Sequence, residues 1–220
     1  MNTAPLVKIC GVMDEAAVDA AVEHGVDFLG FVFTPQSPRV ISPAIAAELC
    51  DALPDDVSKV GLFVDPSDDD LDHICRYVRL DYIQLHGSES PARVDEIRLN
   101  TGVAVIKAIG VATAEDIQAA NAYDGHADLL LFDAKPPNDA PRAGGLGTAF
   151  PWPLMKSWTG ETPWLLAGGL TPDNVARAIA DSGAAGVDVS SGVEKEPGSK
   201  DPDRIAAFIK AAKGAGSGRW

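Results

Sequence analysis

The chain has 220 residues, 46% of them apolar and 23% charged, enough for one substantial core in a single domain. Its formal net charge of −14 argues against a nucleic-acid or anionic-membrane surface, although a few placed cations and backbone amides suffice for a small anion. The opening residues show no secretory pattern, no apolar run approaches the roughly 20 residues of a membrane helix, and Cys10, Cys50 and Cys75 form neither a ligand spacing nor an even-numbered framework, so a reducing cytoplasm is the expected setting.

In chain order, short runs rich in β-branched and apolar residues fall at 7–10, 28–33, 60–64, 82–85, 103–109, 129–132, 164–167 and 187–190. Between them lie stretches with helical periodicity at 14–25, 42–53, 67–78, 90–99, 113–122 and 171–183. Asp14, Ser42, Ser67 and Ser90 stand at N-cap positions, Pro43 and Pro91 fit a first helical turn, and two stretches run into Gly25 and Gly183. Eight strands, each followed by a helix, predict a single α/β domain, a closed parallel (β/α)8 TIM barrel over residues 1–213. Residues 214–220, "GAGSGRW", read as a frayed tail. The competing open doubly wound sheet usually has a Gly-rich phosphate loop after its first strand, where this chain has Cys10-Gly11.

Active sites of such barrels lie at the C-terminal ends of the strands, so the polar residues there are the functional candidates. Cys10 ends the first strand, Arg39 follows the second, His86 the fourth, Asp133 the sixth, Gly168-Gly169 the seventh and Ser190-Ser191-Gly192 the eighth. Cys10 is either a small buried hydrophobe or a reactive thiol. Strand alternation sets it on one face with Lys8, and likewise pairs Leu131 with Asp133, Gln84 with His86 and Asp188 with Ser190. Lys8 and Asp188 on those faces could pair below the site. Asp133 is either a loop cap or a carboxyl whose partial burial suits it to proton donation. His86 fits a proton carrier, a substrate-binding group or a structural role. Arg39, stiffened by Pro38, offers a planar fork for a carboxylate. Cys50 and Cys75 read as packing residues within helices. The loops after the last two strands commonly form a phosphate site in this fold, and "AGGLTPDN" and "SSGVE" occupy them with small residues and hydroxyls. A third glycine cluster, Gly144-Gly145-Leu146-Gly147, lies in a long loop after the sixth strand, placed to close over a ligand.

The stretches "VKICGV", "DFLGFVFTPQSPRVIS", "VGLFVDPS", "IQLHGSE", "VIKAI", "LLLFDA", "GGLGTAF", "LLAGGLTPDNV" and "GVDVSSGVEKEPGSKD" occur in this order from residue 7 to about residue 201. Together they closely resemble the phosphoribosylanthranilate isomerase family of tryptophan biosynthesis, whose members perform an Amadori rearrangement on a (β/α)8 barrel. The resemblance implies that Asp133 is the general acid that opens the ribose ring, and that Cys10 is the general base that takes the C2′ proton. It implies that Arg39 holds the anthranilate carboxylate and that His86, Gly145, Gly168, Gly169, Asp188, Ser190, Ser191 and Gly192 contact a phosphorylated substrate. No metal or organic cofactor is implied, nor any nucleic-acid or membrane partner, and both monomer and homodimer stay open. The chain departs from the family pattern at Leu146, where a Thr is common, and at Pro151, where an Asp is common and where Pro fits a first helical turn. Another phosphosugar isomerase would characteristically have a carboxylate in place of Cys10, whereas a non-catalytic barrel would bind its phosphorylated ligand without turnover.

Overall fold

The computed structural model describes residues 4–135 and 149–216. Its strands are β1 (Leu6–Cys10), β2 (Phe28–Val32), β3 (Ser58–Phe63), β4 (Tyr82–Leu85), β5 (Ala104–Val111), β6 (Leu129–Ala134), β7 (Trp164–Leu166) and β8 (Gly186–Val189). Each pairs in parallel with the next, and β8 returns to β1 to close the barrel. The closing seam matches Lys8 with Asp188 and Ile9 with Val189, while Cys10 faces Gly30 across the next seam. Alternation then divides the core in two. Phe28, Val60, Ile106, Ala108, Leu129, Leu131, Leu165 and Ala167 form one buried cluster filling the barrel. Val7, Ile9, Leu29, Ile83, Val105, Leu130 and Phe132 point the other way, into the shell between strands and helices.

The helices are α1 (Glu15–Glu23), α2 (Pro43–Asp51), α3 (Asp68–Tyr77), α4 (Pro91–Thr101), α5 (Ala114–Ala119), α6 (Val175–Ser182) and α7 (Pro202–Lys213). Their starts have the expected chemistry: side chains of Asp14, Ser42 and Ser90 accept amides of the first turn, and Ser67 with Asp70 makes a reciprocal capping box.

Three features differ from the sequence reading. The described residues between β6 and β7 contain a 3-10 helix, Trp152–Ser157, in place of an α-helix. Pro151 and Pro153 there remove amide donors from the segment where a regular ladder would begin, and Pro151 lies just outside the helix rather than in its first turn. α6 starts at Val175, later than 171, because Asn174 ties residues 171–174 into a turn: its Oδ1 accepts the Thr171 amide at 2.8 Å and its Nδ2 donates to the Gly169 carbonyl at 2.9 Å. Between β8 and α7 an antiparallel ribbon, β9 (Glu194–Glu196) with β10 (Ser199–Lys200), folds over the end of the barrel. Among the described residues no helix is long and apolar enough to cross a membrane. Gly145, Leu146 and the last four residues of the expected tail lie outside the described residues.

Candidate active site

Cys10 ends β1 as a buried residue on the interior face, two positions beyond the fully buried Lys8. Lys8 Nζ donates to Asp188 Oδ1 at 2.8 Å, so this barrel-interior ion pair fastens the β1–β8 seam directly beneath the thiol. Both Lys8 and Cys10 crowd over Gly30: a Cβ there would come 3.0 Å from the sulfur and 3.2 Å from the ammonium. Burial pushes the Cys10 thiol above its ordinary range, and the Asp188 charge adds to this, while Lys8 and Lys200 pull the other way without cancelling it. Lys8 itself, although burial opposes its charge, is held protonated by Asp188 and by Cys10.

The next residue, Gly11, has φ of +76° and turns the chain sharply away from the strand. The space where its Cβ would stand is filled by the Arg39 side chain, whose Cδ would lie 2.5 Å from it. A glycine after Cys10 thus admits Arg39 to the strand end.

Asp133 lies within β6, since the strand runs two residues past its predicted end. Its Oδ1 accepts the Ala134 amide at 2.8 Å, and its Oδ2 stands 3.4 Å from His86 Nε2. Behind the imidazole, the Gln84 amide nitrogen is 3.2 Å from His86 Nδ1. Gln84, His86 and Asp133 form one line across the barrel interior. The Gln84 Oε1 is buried with no partner among the described residues.

Arg39, expected as a free fork for a carboxylate, is 5% exposed and already paired: Nε and Nη2 donate to the two Glu194 oxygens at 2.7 and 2.9 Å. Nη1 makes no hydrogen bond among the described residues, and it is the edge left for a ligand. Glu194 also accepts from Lys200 Nζ at 2.8 Å, and Lys200 donates further to the Ser190 carbonyl at 3.0 Å and hydroxyl at 3.2 Å. Although burial raises the Glu194 carboxyl, its bonds to Arg39 and Lys200 hold it below the ordinary range. Glu194 and Lys200 were not singled out among the candidates, although both lie in the quoted "VEKEPGSKD" stretch.

Beside this cluster Ser191–Val193 forms a short 3-10 helix whose first internal bond runs from the Val193 amide to the Ser190 carbonyl at 3.4 Å. The Ser191 and Gly192 amides precede that bond and are available to an anion. Gly168 and Gly169, both with positive φ, leave β7 on the neighbouring strand, so the glycines and serines expected to hold phosphate do come together at one rim. Asp188 offers Oδ2 only, its other oxygen being bound to Lys8. The rim therefore combines a thiol, a carboxyl with an imidazole beside it, a guanidinium edge and an amide-rich anion seat.

The chain matches a family model described as N-(5'-phosphoribosyl)anthranilate (PRA) isomerase over residues 7–211. It is 56% identical over 208 residues to N-(5'-phosphoribosyl)anthranilate isomerase of Paramagnetospirillum magneticum, an alignment covering 94% of this chain and 97% of that protein. Among solved structures it resembles monomers of the dimeric phosphoribosylanthranilate isomerase from Thermotoga maritima, with a TM-score of 0.81, 37% identity and coverage of 96% of this chain and 99% of that one. The same values hold for a phosphoribosyl anthranilate isomerase in complex with reduced 1-(o-carboxyphenylamino)-1-deoxyribulose 5-phosphate.

Proposed function

The chain belongs to the N-(5'-phosphoribosyl)anthranilate isomerase family, and from that footing we propose how its own residues divide the chemistry. The reaction isomerises N-(5-phosphoribosyl)anthranilate to 1-(2-carboxyphenylamino)-1-deoxyribulose 5-phosphate, a step of tryptophan biosynthesis. Asp133, entering as the carboxylic acid, gives its proton to the ribose ring oxygen; the C1′–O bond breaks and the anilino nitrogen supplies the electrons that form the iminium. Cys10, entering as thiolate, removes the C2′ proton, and those electrons neutralise the iminium to give an enolamine. Tautomerisation to the aminoketone completes the sequence, with no net gain or loss of protons.

The observation that carries this division is the placement of a thiol and a carboxyl at the ends of β1 and β6, on the interior face of one barrel. The His86 ring, with Nε2 3.4 Å from Asp133 Oδ2, fits a group that steadies the carboxylate once its proton has left. The Arg39 Nη1 edge receives the anthranilate carboxylate, and the phosphate sits on the amides around Gly168, Gly169, Ser191 and Gly192, with the Ser190 hydroxyl and Gly145 nearby. Because the acid must enter protonated and the base ionised, the pH profile of kcat/KM is bell-shaped. We place the reaction in the cytoplasm, in keeping with three free cysteines. The assembly is a monomer or, as in the dimeric Thermotoga relative, a homodimer.

The test separates chemistry from binding. Cys10→Ser and Asp133→Asn should each lower kcat by about 10²–10⁴-fold while still binding reduced 1-(o-carboxyphenylamino)-1-deoxyribulose 5-phosphate. Arg39→Met should weaken that binding. Near-wild-type turnover in either of the first two variants removes that residue from the mechanism.

A further inference from the structure

Lys200 belongs to the ribbon that crosses the barrel mouth, outside the eight strands, yet its ammonium is almost completely buried, with 1% of the side chain exposed. Its three hydrogen bonds place it. Two go to the carbonyl and hydroxyl of Ser190, the residue following β8. The β1–β8 register pairs Ile9 with Val189, which brings Ser190 level with Cys10 on the adjacent strand. The third bond goes to Glu194, whose other oxygen holds Arg39.

We propose that Lys200 is a positioning residue for the isomerisation, a buried ammonium held beside the Cys10 thiol that sets the pH at which this thiol can act as a base. The proposal rests on Cys10 being the base. The charged groups facing the thiol are Lys8 from β1, Asp188 from β8 and Lys200 from β10, with Glu194 bonded to Lys200 and Arg39 packed over Gly11; β2 presents only Gly30. The Lys8 charge acts most strongly among the cations at the sulfur and is partly offset by its partner Asp188. Two cations, Arg39 and Lys200, share the single Glu194 carboxylate and leave one positive charge in excess. Lys200 therefore adds to Lys8 a second positive charge that favours the thiolate. In keeping with this, burial drives Lys200 below the ordinary lysine range, and Cys10 is among the groups that oppose the shift.

The experiment uses the full chain with Cys50 and Cys75 replaced by alanine, so that ultraviolet thiolate absorbance, taken as the difference from the same protein carrying Cys10→Ala, reports Cys10. Lys200→Met is expected to move both the thiol titration and the limb of the kcat profile set by the thiol to higher pH by about one unit, a tenfold loss of thiolate at fixed pH. Lys200→Arg, which restores the charge, should return both. Lys200→Gln keeps a donor for Ser190 and Glu194 and supplies the same reading where the methionine variant does not fold. An absorbance titration identical to wild type, or a fall in kcat at every pH with an unmoved limb, overturns the proposal. The absorbance needs no substrate, so the two readings fail separately: a shifted titration with an unshifted kcat limb would reject Cys10 as the base, and with it the catalytic role of Lys200.

Discussion

Gly168 has φ of +88°, and a Cβ there would lie 2.6 Å from the Ala134 amide nitrogen and 3.1 Å from Asp133 Oδ1. The residue leaving β7 is thus the wall against which the Asp133 carboxylate rests. Gly168→Ala should cost about 1–2 kcal/mol for the left-handed conformation alone, and more from displacing Ala134. Urea denaturation reads the first effect; a fall in kcat beyond what stability explains reads the second. A variant as stable and as active as wild type would show that the contact is not needed. At this scale much of the site was legible. Cys10, His86 and Asp133 stand at strand ends, and period-two alternation correctly set each on the same face as Lys8, Gln84 and Leu131. The pairing of Arg39 with Glu194 was not legible, because 155 residues separate them and no local pattern reports a meeting across the mouth of a barrel.

At the scale of elements, the β1–β8 seam depends on the Lys8–Asp188 ion pair, whose ammonium has no exposure to solvent. Removing one partner leaves the other charged and buried, so Lys8→Met should cost about 3–5 kcal/mol, while Lys8→Met combined with Asp188→Leu should recover a large part of that loss. Additive losses in the double variant would mean that the two residues act independently. The eight strands could be read to within two residues at each end because each is a compact, largely apolar run, several of them rich in β-branched residues. The helix α7 also carried its signal: Asp201 caps it, Pro202 opens it, and Ile205, Phe208, Ile209 and Ala212 repeat at helical spacing and are buried. That pattern was present but not drawn into the element list. The β9–β10 ribbon had no such signal. Its strands of three and two residues, "EKE" and "SK", are polar and too short for periodicity to register, yet they deliver Glu194 and Lys200 to the site.

For the whole molecule, the buried thiols link folding to pH. Burial raises Cys50 from 9.0 to about 12 and raises Cys10 as well. In the unfolded chain both ionise at the lower, ordinary value, so above pH 9 the unfolded state has lost protons that the native state keeps, and stability falls as pH rises. Lys8, held protonated in the fold, acts in the same direction at higher pH, whereas Lys200, pushed down by burial, acts in the opposite one. Denaturation midpoints should therefore decline with pH from about pH 9 upward, and Cys50→Ala should flatten the decline. An unchanged slope in that variant would show that the thiol is not the linked group.

Catalysis by the whole molecule is put to the test with freshly prepared N-(5-phosphoribosyl)anthranilate. Its fluorescence should disappear rapidly with the wild-type protein, with 1-(2-carboxyphenylamino)-1-deoxyribulose 5-phosphate recovered as product, and only at the spontaneous rate with folded Cys10→Ala. Consumption by Cys10→Ala at the wild-type rate, or none above the spontaneous rate by folded wild type, would contradict the account.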